Sequence, residues 1–289
     1  MGNVVVGHAT RFGAGSANTV DEEYEFINCD LGADATHRQQ QGIRGSRSIR
    51  EEGVVEGTEA IGGTVLLEPR PDDLDNWLPR ILGANGVAAE TIPEFYAHVE
   101  RIAEDNLYSG CKVARATFRC SSTQNLQLLL EIVGKTEASQ AFPDIAASLS
   151  TMQPYVLHQG VLTINSNTYS MDNLEIVIDN GLLRDRYYNS QTRTEIPEGS
   201  RIVTVSFDNP FNADDTELYD IARAGLDGSV VFTNGNLSCD FTFANLKMPR
   251  SRQPIGGRDQ PLDKRMMMQA YRTSGAAEIV ITNDSNSAS

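Results

Sequence analysis

Four histidines, four cysteines and two adjacent aspartate pairs are the side chains of this chain best equipped for catalysis or metal binding. Zinc hydrolases place two histidines one helical turn apart, acyl hydrolases set a serine on a tight strand-to-helix turn, and phosphate loops need clustered glycines before a lysine. None of those arrangements occurs. His8, His37, His98 and His158 have no ligand-type partner at i+4, and no H-E-x-x-H, G-x-S-x-G or G-x-x-x-x-G-K-[ST] word is present. His98, in the expected strand EFYAHVERI, reads as a polar-face residue rather than a general base. Cys29, Cys111, Cys120 and Cys239 form no C-x-x-C pair, which argues against a zinc ribbon or a thioredoxin-like site. Cys111 and Cys120 are expected on opposite faces of one strand, where they cannot bridge, and all four thiols read as reduced and buried. GAGSAN at Gly13 has Asn18 in place of the third glycine of a dinucleotide loop, and NPFNADDTE lacks the glycine and closing glutamate of a calcium loop. Asp72-Asp73 and Asp214-Asp215 sit where helix starts favour negative charge. The expectation is a protein without catalytic residues, metal or cofactor.

The elements around these residues carry more information than the residues themselves. In GGTVLLEPRPDDLDNWLPRILG a short apolar strand runs through Pro69 and Pro71 into a helix whose Leu74, Trp77, Leu78, Ile81 and Leu82 fall on one face. Gly83 suits the left-handed position beyond its end, and Pro79 predicts a kink or a division into two short turns. The stripe is core packing, and Trp77 is expected to pack on its own sheet rather than anchor a subunit contact. A second helix is expected over NADDTELYDIARAG, from Asn212 to Gly225. The remainder alternates like β-structure. YSGCKVARATFRCSS puts Cys111, Val113, Arg115, Thr117 and Arg119 on one face, and LQLLLEIVGKTE puts Leu126, Leu128, Leu130 and Ile132 on one face, so the two form an antiparallel hairpin. Later strands include VLTINSNTYSMDNLEIVIDNGL, SRIVTVSF, SVVFTNGNLSCDFTFANL with an Asn234-Gly235 turn, MMMQAYRT and AAEIVITND.

In this order of elements the chain resembles the tail tube proteins of long-tailed bacteriophages. The likeness is carried by GVVEGTEAIGGTVLLEPRPDDLDNWLPRILG, NLYSGCKVARATFRCSS and VLTINSNTYSMDNLEIVIDNG, and runs from about Gly7 to Asn283. It implies a mainly β fold, an antiparallel two-sheet β-sandwich or barrel with one or two short flanking helices, assembling into a ring. It also implies hexameric rings stacked around a tape-measure protein, with tail terminator and distal tail proteins as further partners, in a virion tail built in the host cytoplasm. Two alternatives stand beside it: another β-rich virion component, at the tail end or on the capsid, and a glycan-binding β-sandwich. The last requires an exposed aromatic platform, and Tyr187-Tyr188 is the only adjacent aromatic pair in the later strands.

Charge fits a conduit better than a nucleic-acid clamp. With 24 Lys and Arg against 39 Asp and Glu, the 289 residues carry −15. A basic wall would release counterions and hold DNA, whereas an acidic one lets it pass without specific binding. The lumen candidates are strand carboxylates on the polar side of alternating segments, Glu131, Glu175 and Asp179. Residues 1–58 read as an arm or long loop, with a basic cluster at Arg38, Arg44, Arg47 and Arg50 that could pair with Glu51 and Glu52 or cross to an acidic neighbour. Residues 59–282 form the expected β domain, in two halves joined near 138–158, and 283–289 a frayed tail. No apolar run approaches the roughly 20 residues of a membrane span, so a cytoplasmic, membrane-free protein is expected.

Overall fold

A computed structural model describes residues 10–16, 20–42, 48, 50–101, 104–145, 149–210, 225–249 and 263–285. The strands are β1 (Arg11–Gly15), β2 (Glu22–Tyr24), β3 (Phe26–Cys29), β4 (Gly32–Gln39) and β5 (Val54–Leu67), followed by the helix α1 (Pro71–Leu82). Then come β6 (Phe95–Glu100), β7 (Asp105–Ser121), β8 (Gln124–Gly134), β9 (Thr136–Ser139), β10 (Gly160–Ile164), β11 (Asn167–Tyr169) and β12 (Asp172–Asp179). The last are β13 (Ile202–Pro210), β14 (Leu226–Asn234), β15 (Leu237–Lys247), β16 (Asp263–Ala270) and β17 (Ile279–Asp284). All pairings are antiparallel, and the chain is mainly β as its alternation predicts.

One layer runs β5-β8-β7-β12-β13-β16, with β3 and β4 against the outer side of β5. A second runs β11-β10-β14-β15-β17 and joins the first where the end of β15 pairs with β16. The two face each other through aromatic contacts such as Phe118 to Phe241, 5.0 Å between centroids, which makes a β-sandwich. The first half of β7 belongs to a smaller third sheet, β2-β1-β6-β7-β9. Helix α1 closes the gap between these layers. Trp77, fully buried, lies parallel to the Phe12 ring at 6.3 Å and edge-on to Phe95 at 5.8 Å. Leu74, Leu78, Ile81 and Leu82 are buried with it, so the stripe is core packing within one subunit.

Several expectations need correction. Helix α1 runs unbroken through Pro79 rather than as two turns; the proline sits in the last turn, where it frees only the carbonyl of Asp75, a solvent-exposed residue. Gly83 ends the helix at φ 93°, its N–H donating to the Pro79 carbonyl at 2.8 Å, as its position predicts. Cys111 and Cys120 do not face opposite ways. A bulge between Val113 and Arg115 inserts one residue into β7, so both thiols enter the same core, unbridged, and burial pushes Cys111 up to about 12 and Cys120 up to about 11. His98 is wholly buried rather than on a polar face: its Nε2 pairs with the Gln140 carbonyl at 2.9 Å and its ring packs on Phe142. The first 58 residues are not only an arm, because Phe12, Ala14, Tyr24 and Leu31 are core residues; what projects is the β4–β5 hairpin, exposed along most of β4. The second helix expected from Asn212 lies outside the described residues. Asn283 belongs to β17 and donates to the Pro71 carbonyl at 2.6 Å and to Asp75 at 2.7 Å, tying that end of the chain to α1.

Candidate assembly surface

Strand alternation makes the first sheet two-faced. On one side the cross-strand rows Leu130-Ala116-Ile178-Val203-Ala270 and Leu128-Phe118-Ile176-Val205-Met268 are buried in the sandwich. On the other, the rows read Thr64-Glu131-Arg115-Asp179-Ile202, Leu129-Thr117-Val177-Thr204-Gln269 and Gln127-Arg119-Glu175-Ser206-Met267. This is the one broad polar wall among the described sheets that contains all three lumen candidates. It follows from period-2 patterning alone, since each strand alternates the same way in a fixed register.

The wall is not bare negative charge. Arg115 lies across the strands between Glu131 and Asp179, and its Nη2 contacts Asp179 at 2.6 Å. Glu131 is taken by Arg184 at 2.5 Å, and Glu175 by Arg265 at 3.3 Å, the same guanidinium reaching Asp208 at 3.5 Å. Arg119 donates to Gln127 at 2.9 Å. For Asp179 partial burial opposes ionisation, but the Arg115 hydrogen bonds and the Gly181 N–H outweigh it and hold its pKa below the ordinary carboxylate value. The Asp179 hydrogen bond in turn raises the Arg115 pKa against burial. The register brings Glu131 and Asp179 to either side of one arginine and leaves Glu175 two rows away. The cations Arg115, Arg119, Arg184 and Arg265 are the residues that a search for acidic lumen groups missed. Arg115 and Arg119 were legible as strand residues on one face, but Arg184 comes from a loop.

Arg38 sits on β4 opposite Val55 and is exposed, as is Arg50 beside the short turn Glu51–Gly53, and neither makes an ion pair among the described residues. Arg44 and Arg47 lie outside the described residues. The aromatic platform that a glycan site would need is a single ring: Tyr188 is 66% exposed, while Tyr187 is half-buried with the Arg193 guanidinium 5.7 Å from its ring. No cluster of three metal-type ligands forms among the described residues, and no described helix is long and apolar enough to cross a membrane.

No curated protein matches this sequence. The family model described as phage tail tube protein matches residues 2–265, a span that takes in β1 to β15, α1 and the start of β16, and ends before β17. With that match over nearly its whole length, the chain belongs to the phage tail tube protein family.

Proposed function

We propose that copies of this chain join sideways into hexameric rings, that the rings stack into a hollow tube, and that phage DNA passes through the tube during ejection. The tube is part of the virion tail, assembled in the host cytoplasm, and contacts a tape-measure protein inside and terminator and distal tail proteins at its ends. The observation that carries this reading is the two-faced sheet from β5 to β16. Its apolar side is consumed within the subunit, leaving a mainly polar wall interrupted by Leu129, Val177, Ile202 and Met267 and, along the first six residues of β16, an edge with no second strand among the described residues. Such an edge favours pairing with another chain. One contact repeated around a closing axis gives a ring, and a second that does not close gives a stack.

The charge pattern suits passage. Each copy carries −15, which disfavours binding of DNA from solution, and three of the four arginines along the wall, Arg115, Arg184 and Arg265, are held by carboxylates of their own subunit, while Arg119 donates to Gln127. In this reading Glu131, Glu175 and Asp179 act by occupying arginines as much as by repelling phosphate. The exposed β4–β5 hairpin, with Arg38 and Arg50, extends from the sheet to a neighbouring acidic subunit. Negative-stain electron microscopy of purified protein, with sedimentation over a wide concentration range, tests the proposal: rings or tubes with an open centre are expected, and monomers alone at every concentration overturn it.

A further inference from the structure

Strand β5 is 14 residues long, but only its second half lies in the sandwich. From Leu67 back to Ile61 it pairs with β8, and the last of those pairs is Ile61 with Gly134. From Val54 to Ala60 it pairs with β4 alone among the described strands. Two strands with no core of their own make a marginal element in water, and six of the eight residues of β4 are exposed. The two parts of β5 meet at glycine. Gly62 faces Gly32 of β4 across the ladder and Gly63 follows it, so no cross-strand pair of side chains stiffens the junction. Close approach of the backbone requires this, because a Cβ at Gly63 would lie 2.6 Å from the Leu31 Cα. A hairpin rooted in this way holds one direction only if something outside it does the holding.

The chain between β12 and β13 supplies that hold. Residues 181–201 leave the sheet without forming a helix or strand, yet they are anchored at both ends of the excursion. Leu182 and Ile196 pack with Ile92, Ala114 and Val133 in a small separate core, and Lys112, buried, holds Glu198 at 2.6 Å. Between these anchors the strap reaches the root of the hairpin. The buried Arg193 guanidinium donates to the carbonyls of Ile61 at 2.5 Å and Gly134 at 3.0 Å, bracing the last β5–β8 pair, and to the strap's own Arg184 carbonyl at 2.7 Å. Its outer side faces the half-buried Tyr187 ring, 5.7 Å away. Two residues along β5, the Glu59 N–H donates to the Gln191 carbonyl at 2.8 Å. Backbone groups of alternate strand residues point to the same edge, so beyond Ile61 the strap takes over the edge of β5 that β8 serves before it.

We propose that the strap splints the β4–β5 hairpin: Arg193 and Gln191 fix the angle at which it leaves the sheet, so that it is already aimed when it meets a second copy of this chain. The aim toward a second copy rests on the tube-subunit reading; the splint does not. Prior ordering of this kind lowers the entropy lost on association. The residue type matters as well, since a planar guanidinium holds several carbonyls in fixed directions and a lysine ammonium does not.

Electron–electron resonance distances between nitroxides at Val55→Cys, on the hairpin, and Thr242→Cys, on the second layer, test this. Both positions are exposed, Cys111, Cys120 and Cys239 are buried, and the half-buried Cys29 is replaced by serine throughout. Labelled protein is diluted into unlabelled protein, so that only distances within one subunit are read. The wild-type distribution should be narrow, that of Arg193→Lys at least about twofold broader, and that of Tyr187→Ala between them. Sedimentation should show Arg193→Lys needing about tenfold more protein to assemble. A strap that only stabilises the subunit would lower the melting point of both variants with the distribution unchanged, and that result overturns the proposal, as does a wild type that is already broad. If Arg193→Lys does not fold, Tyr187→Ala decides alone. A broadened variant that assembles like wild type overturns the aim toward a second copy, whereas a wild type that never assembles overturns the tube reading and leaves the distance test of the splint in force.

Discussion

If the polar wall lets DNA pass as proposed, removing its carboxylates should turn it into a surface that binds DNA. In Glu131→Gln/Glu175→Gln/Asp179→Asn, Arg184 and Arg115 lose their ion-pair partners, while Arg265 keeps Asp208 at 3.5 Å. Two guanidiniums per subunit thus become available to phosphate, and the formal charge moves only from −15 to −12, since three carboxylates are neutralised. Two neutralised phosphates correspond to a slope of about −1.8 in log affinity against log salt, so binding should strengthen about tenfold between roughly 200 and 50 mM salt for each engaged subunit. The substitutions preserve shape, and the side-chain amide oxygen that Asp179→Asn leaves in place can still accept the Gly181 N–H, which donates to the Asp179 carboxylate at 2.9 Å. Each lost pair is partly exposed and contributes about 0–1 kcal/mol, so the variant should fold.

The assay is fluorescence anisotropy of a short labelled duplex titrated with each protein at about 50, 100 and 200 mM salt, with thermal melts as a control. Wild type should give no saturable binding, and the variant should give binding whose salt slope is close to that value or a multiple of it. A folded variant that binds no better than wild type at the lowest salt refutes the reasoning, because the wall's indifference to DNA would then owe nothing to its internal pairing. A wild type that binds strongly refutes it equally.

Trp77→Ala should lower the unfolding free energy by about 3–5 kcal/mol, measured by urea denaturation with far-ultraviolet circular dichroism, because the ring is fully buried against Phe12, Tyr24 and Phe95. Trp77→Phe should cost less than half of that, since the indole N–H it removes has no hydrogen-bond partner among the described residues. Gly86→Ala should be far worse than Gly235→Ala in the same measurement: both glycines have positive φ, but a Cβ at 86 would lie 1.9 Å from the Ile281 carbonyl oxygen and push β17 away, whereas at 235 it meets nothing. Gly235→Ala should cost only the left-handed penalty of about 1–2 kcal/mol. For His98, burial holds the pKa below its ordinary 6.5 despite the Gln140 carbonyl and the carboxylates of Asp105 and Glu100. The unfolded chain therefore binds the proton first, and stability should fall as pH drops below about 6.5. His98→Gln should flatten that fall. Asp73, pushed up to about 6 chiefly by burial, works in the opposite direction, so wild type and variant must be compared across one pH series.

Much of this fold could be read from residue types because it is built on strict alternation. Leu126, Leu128, Leu130 and Ile132 point inward as their spacing requires, the Asn234-Gly235 turn joins β14 to β15 with Gly235 at φ 65°, and the helix stripe from Leu74 to Leu82 is buried as a unit. Alternation fails where one residue is inserted. The bulge beside Ala114 left no mark in composition, and it alone moved Cys111 onto the same side as Cys120. His98 escaped for a related reason: a polar residue in an alternating strand suggests an exposed face, but β6 lies between β1 and β7 with the Phe142 ring above it, and only tertiary contact decides that.

The polar wall shows the same limit in its functional form. Period 2 correctly put Glu131, Glu175 and Asp179 opposite apolar neighbours, yet it carries no information about what stands beside each carboxylate on the next strand. Those neighbours are set by register between segments far apart in the chain, Arg115 against Asp179 and Arg265 against Glu175, and by Arg184 arriving from the strap. A net charge of −15 counts such groups without saying which are already paired. Two surfaces with the same composition can therefore differ in their response to DNA according to strand register alone. In the tube proposed above, passage of DNA is a property of register as much as of acidity.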